Sequence, residues 1–218
     1  MFSPEMLVER VLLYLIPLVL SLTVHEFAHA WSAWRLGDDT ASRMGRMTLN
    51  PISHIDPIGT LLLPILGVPF GWAKPVPVNP ARFRRDVNMR AGMALTAAAG
   101  PLSNVLLAVV AAVAFGLLAR FAPHTLETGL GTGELLSALL RINVALAIFN
   151  LIPVPPLDGS RIVDGFLPYR LRPQWQAIER FAPFLLVGVF LFGWRVIGAP
   201  VVAVYHWIFD LSLRLAGA

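Results

Sequence analysis

Apolar residues run along this chain in long blocks separated by short polar stretches. The first block, residues 7–36, holds Leu12, Leu13, Leu15, Ile16, Leu18, Val19 and Leu20. It is long enough to cross a hydrocarbon core about 30 Å thick, and Pro17 within it predicts a kink. A second block covers residues 91–121 and is opened by Arg82, Arg84, Arg85 and Arg90. A third, residues 135–152, stops at Pro153-Val154-Pro155-Pro156, through which no helix can run. The last apolar region, residues 181–215, is interrupted around Gly193-Trp194-Arg195 and reads either as one span or as a hairpin plus a span. Between the first and second blocks, residues 58–68 are apolar but too short to span, and are broken by Gly59, Pro64 and Gly67. Irregular backbone at membrane depth needs protein or a water-filled cavity around it, which predicts a re-entrant loop. Gly71-Trp72-Ala73-Lys74-Pro75-Val76-Pro77-Val78 reads as an extended strand whose prolines suit only a sheet edge. The predicted fold is therefore an all-α polytopic membrane protein with about 4–6 transmembrane helices. A re-entrant loop or short β hairpin follows the first helix, and residues 1–218 form a single integral membrane domain.

Composition agrees with the pattern. Hydrophobic residues make up 56% of the chain, charged residues only 14%, and mean hydropathy is +0.69, where a soluble domain carries about a quarter charged residues. The pI near 10.3 raises nucleic acid as a partner. The basic residues, however, flank apolar blocks and form no solvated face, so they read as topology signals and exclude that partner. Residues 35–90 and 158–180 hold twelve of the seventeen Lys and Arg. The positive-inside rule then puts both segments in the cytoplasm and makes this a multi-pass protein of the cell membrane. Glu5 and Glu9 precede the apolar run from Val11 to Val24, and no small-residue cleavage site follows that run, so this segment is expected to remain in the mature protein.

Within the first block stands His25-Glu26-Phe27-Ala28-His29. Positions i and i+4 of a helix share a face, so both imidazoles can reach one zinc ion while Glu26 acts as base toward water. Three ionisable groups in hydrocarbon cost several kcal/mol unless paired or metal-bound, which favours a functional reading over packed polar groups. His29 precedes Arg35 by six residues, placing it roughly 9 Å inside the cytoplasmic end of the span. With no cysteine in the chain, a third metal ligand must come from His54, His124, His206 or an acidic residue. Asp158 is the best placed, at the cytoplasmic end of the third block, but Asp there serves equally well as the N-cap of a following helix. His54 could approach the metal, stabilise an oxyanion or anchor the re-entrant loop. Arg141, inside the third block, is expected to snorkel or to pair with an acid.

Three segments together resemble the site-2 protease family of intramembrane zinc metalloproteases. The HEFAH segment resembles its zinc-binding motif. The run from Asn150 through Pro153, Pro155 and Leu157 to Asp158-Gly159 is similar to its second motif. Gly100-Pro101-Leu102-Ser103-Asn104 resembles its GPxxN pattern. The resemblance implies zinc as cofactor, with His25, His29 and Asp158 as ligands and Glu26 as catalytic base. It also implies that Asn104 and Asn150 line the site, binding the substrate's carbonyl or backbone. It implies an endopeptidase acting on transmembrane segments of other proteins in the lipid bilayer, and the chain reads as a short, core-only member. Two rival functions share the motif or the metal. One is a membrane zinc hydrolase of another substrate class. The other is a metal transporter, which the clustering of polar groups toward one side disfavours. A catalytically silent scaffold would not need Glu26.

Overall fold

The computed structural model describes residues 8–68, 71–126 and 131–217. Glu5, the Leu7 start of the first block and Glu127 lie outside them. Helix α1, Ile16–Arg35, is led in by a wide helical turn, Val11–Leu15. Pro17 sits in the first turn of α1, and the i→i+5 bonding of the preceding turn accommodates the N–H that proline lacks. Helix α2 covers Met89–Phe121 and α3 covers Thr132–Asn150. The short α4, Asp158–Phe166, follows the proline run. The amphipathic α5, Arg172–Glu179, leads into α6, Ala182–Ala216.

Among the described residues, three helices are long and apolar enough to cross a membrane: Val8–Arg35, Met89–Phe121 and Thr132–Asn150. A fourth arises if Tyr169–Glu179 and Ala182–Gly193, bent by 73°, count as one span. The predicted four to six is thus met only at its lower end. The last apolar region is one helix rather than a hairpin, since Gly193 sits inside α6 without breaking it. The β element is also corrected: no strand forms among the described residues, and residues 71–79 belong to neither helix nor strand.

Helix α2 is the axis of the bundle and packs on α1, α3, α4 and α6. Its sequence shows why. Gly92, Thr96, Gly100, Asn104, Ala108, Ala112 and Gly116 recur every fourth residue, and all are buried. Without a hydrophobic force between helices in lipid, small residues that let backbones approach are what hold a bundle together. Ala108, Ala111 and Ala112 meet Leu140 and Val144 of α3 and Val201 of α6 in the main core. The large apolar side chains of α2, such as Leu102 and Leu106, point outward instead. That is the arrangement expected where the surroundings are acyl chains. Arg141 is exposed and lines a cavity of about 330 Å³ with Glu9, Arg10, Leu13 and Tyr14.

Ala108 is fully buried where α2, α3 and α6 meet. Ala108→Leu should cost about 1–3 kcal/mol by overpacking. Leu106→Ala, on the outward face, should change the thermal midpoint in detergent far less.

Candidate active site

The two histidines of α1 lie one turn apart on its buried face, 4% and 8% exposed. Both rings are oriented from α2. His25 Nδ1 is 2.7 Å from Asn104 Oδ1, and His29 Nδ1 is 2.7 Å from the Thr96 carbonyl oxygen. A carbonyl can only accept, so His29 Nδ1 carries the proton. The Asn104 amide is fixed by its own partners. Its Nδ2 donates to Asn143 Oδ1 at 2.8 Å and toward the Ser21 carbonyl at 3.4 Å, so its oxygen faces His25. His25 therefore also donates from Nδ1. A neutral imidazole has one N–H, which leaves both Nε2 atoms as bare acceptors, 3.0 Å apart.

Asp158 completes the convergence. The proline run carries the chain from the end of α3 to the first residue of α4, and Gly159 lies so close to the Leu151 and Ile152 carbonyls that a side chain there would strike them. Asp158 Oδ2 lies 3.2 Å from His25 Nε2 and 3.3 Å from His29 Nε2. It is buried and accepts no hydrogen bond. Three electron-rich atoms thus face one small volume. Ligands bound tetrahedrally to zinc at about 2.0–2.1 Å stand about 3.3 Å apart, close to the three separations found here. The donor set therefore fits a zinc ion.

Glu26, next to His25 in the chain, is also buried, at 8% exposed. Its Oε2 accepts the Val76 backbone N–H at 2.8 Å. Segment 72–79 is itself held at each step. The Trp72 carbonyl accepts from Thr60 Oγ1, and Lys74 N donates to the His54 carbonyl. The buried Arg46 donates to the Lys74 carbonyl at 2.6 Å and to that of Pro75 at 3.3 Å, and Asn79 N donates to Asp38 Oδ2. His54 anchors the re-entrant loop, donating from Nε2 to the Thr48 carbonyl at 2.8 Å. Asn150 gives its amide to the Leu146 carbonyl of its own helix, and no hydrogen bond among the described residues joins it to the cluster.

Two residues support the cluster in ways that the sequence did not reveal. Asn143, with no exposed surface, links Asn104 to Ser21 Oγ at 2.8 Å; a carboxamide inside an apolar span is the signal that marks it. Gly100 is the second. A Cβ there would fall 2.5 Å from the His29 ring and 2.6 Å from the His25 ring, so the glycine of the GPxxN segment is where α2 passes over both imidazoles.

Comparison with known proteins bears on this arrangement. The curated protein "Putative zinc metalloprotease YwhC" of Bacillus subtilis is 38% identical over 177 residues, covering 81% of this chain and 78% of its own. The chain belongs to peptidase family M50. The family's own profile, described as Peptidase family M50, matches residues 124–192 of this M50 chain, the stretch that contains Asp158. Rip2 of Mycobacterium tuberculosis, bearing the same description as YwhC, is 31% identical over 207 residues, 92% of this chain and 75% of its own. Rip2 of Mycolicibacterium smegmatis is 30% identical over 202 residues. No solved structure matches.

Alanine is the better helix former, so Gly100→Ala should leave the helix content unchanged. It should nevertheless weaken metal binding about tenfold or more, because both imidazoles must move. Asn104→Leu should weaken it by about 10–100-fold, the usual cost of removing a partner that orients a metal-ligating histidine. Competition with a chromophoric chelator measures both.

Proposed function

We propose that this chain is an intramembrane zinc endopeptidase in which His25, His29 and Asp158 hold the metal and Glu26 is the catalytic base. The convergence of the two Nε2 atoms and Asp158 Oδ2 within 3.0–3.3 Å carries the reading. Zinc, when bound, supplies Lewis acidity toward the scissile carbonyl and lowers the pKa of water toward about 7.

The chain's own residues supply the rest. Glu26 takes the proton from the attacking water and later delivers it to the leaving amine. Val76 N–H, bonded to Oε2, restrains the carboxylate through these transfers. Asn104 acts as a positioning residue, because both its polar atoms are engaged, one on His25 and the other on Asn143. Asn150, half-buried beside the proline run, is the remaining choice for a contact to the substrate backbone.

The substrate is a transmembrane segment of another protein, locally unwound so that its peptide bonds are exposed. Residues 72–78 belong to neither helix nor strand, and pairing of this segment with that unwound stretch as an added strand is the docking mode that fits it. The charge distribution supports a location in the cell membrane with the cluster nearer the cytoplasmic side, from which water would reach it.

Zinc content and cleavage of a membrane-helix peptide by the purified protein test the assignment together. Glu26→Gln should keep zinc and lose about 10²–10⁴-fold in rate. Asp158→Asn should weaken both zinc retention and cleavage. Wild-type cleavage by Glu26→Gln would remove the base from the mechanism.

A further inference from the structure

A second polar constellation lies at the end of α1, away from the histidines. Trp34 and Arg35 of α1 and Arg84 of the segment before α2 line an open cavity of about 430 Å³. The fold builds this convergence. Arg84 N donates to the Leu36 carbonyl at 2.8 Å. Gly37, at φ +111°, turns the chain there, and a Cβ on it would strike Arg84 N at 2.8 Å and Arg84 Cγ at 2.9 Å. Only glycine lets the two arginines share one rim.

The balance of charge at this rim is positive. Asp39 is taken by Arg43 and Arg82, at 2.6 and 2.7 Å. Asp86 touches Arg84 at 3.5 Å, with both side chains mostly in solvent, a contact of little strength. Arg35 has no acidic partner among the described residues, and its guanidinium lies 5.7 Å from the Trp31 ring centroid. Trp31 and Trp34 are both about half exposed. Arg35 is the last residue of the span Val8–Arg35, so the cavity sits at headgroup level, where tryptophan rings prefer to lie. Guanidinium forks match phosphate oxygens in pairs.

We propose that the Trp34–Arg35–Arg84 cavity is a binding site for the phosphate of an anionic phospholipid headgroup. The two guanidinium groups grip the phosphodiester from α1 and from the segment before α2. The indoles of Trp31 and Trp34 rest at the glycerol and upper acyl level. The site holds the end of the helix that carries His25 and His29 at a fixed depth. This inference rests on the membrane reading of α1 and not on the proteolytic one.

Native mass spectrometry of the full chain, released from phosphatidylcholine vesicles with a minor fraction of phosphatidylglycerol, reads the site directly. Phosphatidylglycerol should be retained above its bulk share, with a loss of about fivefold for each arginine removed, the factor one basic side chain contributes near an anionic surface. Arg35→Gln with Arg84→Gln should return retention to the bulk ratio. Arg161→Gln with Arg170→Gln, a basic pair elsewhere, should leave it unchanged. Equal retention by wild type and the Arg35/Arg84 pair overturns the site. Displacement of the lipid by millimolar inorganic phosphate overturns the headgroup assignment in favour of a free-phosphate site. If the glutamine pair fails to match the wild-type thermal midpoint, Arg35→Lys with Arg84→Lys takes its place. That pair keeps the charge and loses the fork, and should fall between wild type and the bulk ratio; retention equal to wild type would then count against recognition by the guanidinium groups.

Discussion

Two imidazole nitrogens with their lone pairs turned toward each other at 3.0 Å repel unless a cation stands between them. The arrangement around His25 and His29 enforces that confrontation. Each ring has its other nitrogen committed to α2, one to a side-chain amide and one to a backbone carbonyl. Neither ring can flip to relieve the repulsion without abandoning a buried hydrogen bond, which costs about 1–3 kcal/mol. Helices α1 and α2 are thus fixed as a preformed half-site, and Asp158 closes it from a separate part of the chain.

The close approach of α1 and α2 depends on what is missing from α2. Large side chains at Gly100 or Thr96 would hold the helices apart and deprive the imidazoles of their partners. The row of small buried residues therefore serves packing and chemistry at once. At Ala108, Ala112 and Gly116 it draws in α3 and α6; at Gly100 and Asn104 it touches the rings. Membrane helices adhere through close backbone approach, and here the same closeness delivers a hydrogen-bond acceptor to a histidine.

What the sequence made legible follows the range of the interactions. The pairing of His25 with His29 is a property of one helix turn and could be read from spacing alone. The spans were legible from length and apolar content, though α6 looked divisible because Gly193 and Arg195 suggest a break that helical backbone does not require. Asp158 could not be separated from a helix cap by local reasoning, since it also begins α4; only resemblance to a family singled it out. Asn143 escaped notice because its role is set by contacts to residues 39 and 122 positions away. The strand at residues 71–78 failed for a different reason. Extended backbone is a local preference, but a sheet needs a neighbour, and its place is taken by Thr60, Arg46, Glu26 and Asp38 along with backbone groups of the re-entrant loop.

The bond between Val76 and Glu26 has an effect that reaches past anchoring. In the proposed mechanism, the carboxylate that accepts the proton takes its orientation from the peptide backbone of the same strip proposed to receive an incoming chain. A guest that seats fully and one that seats askew would hand Glu26 different bearings. On that proposal, selectivity and turnover would share a single adjustable joint.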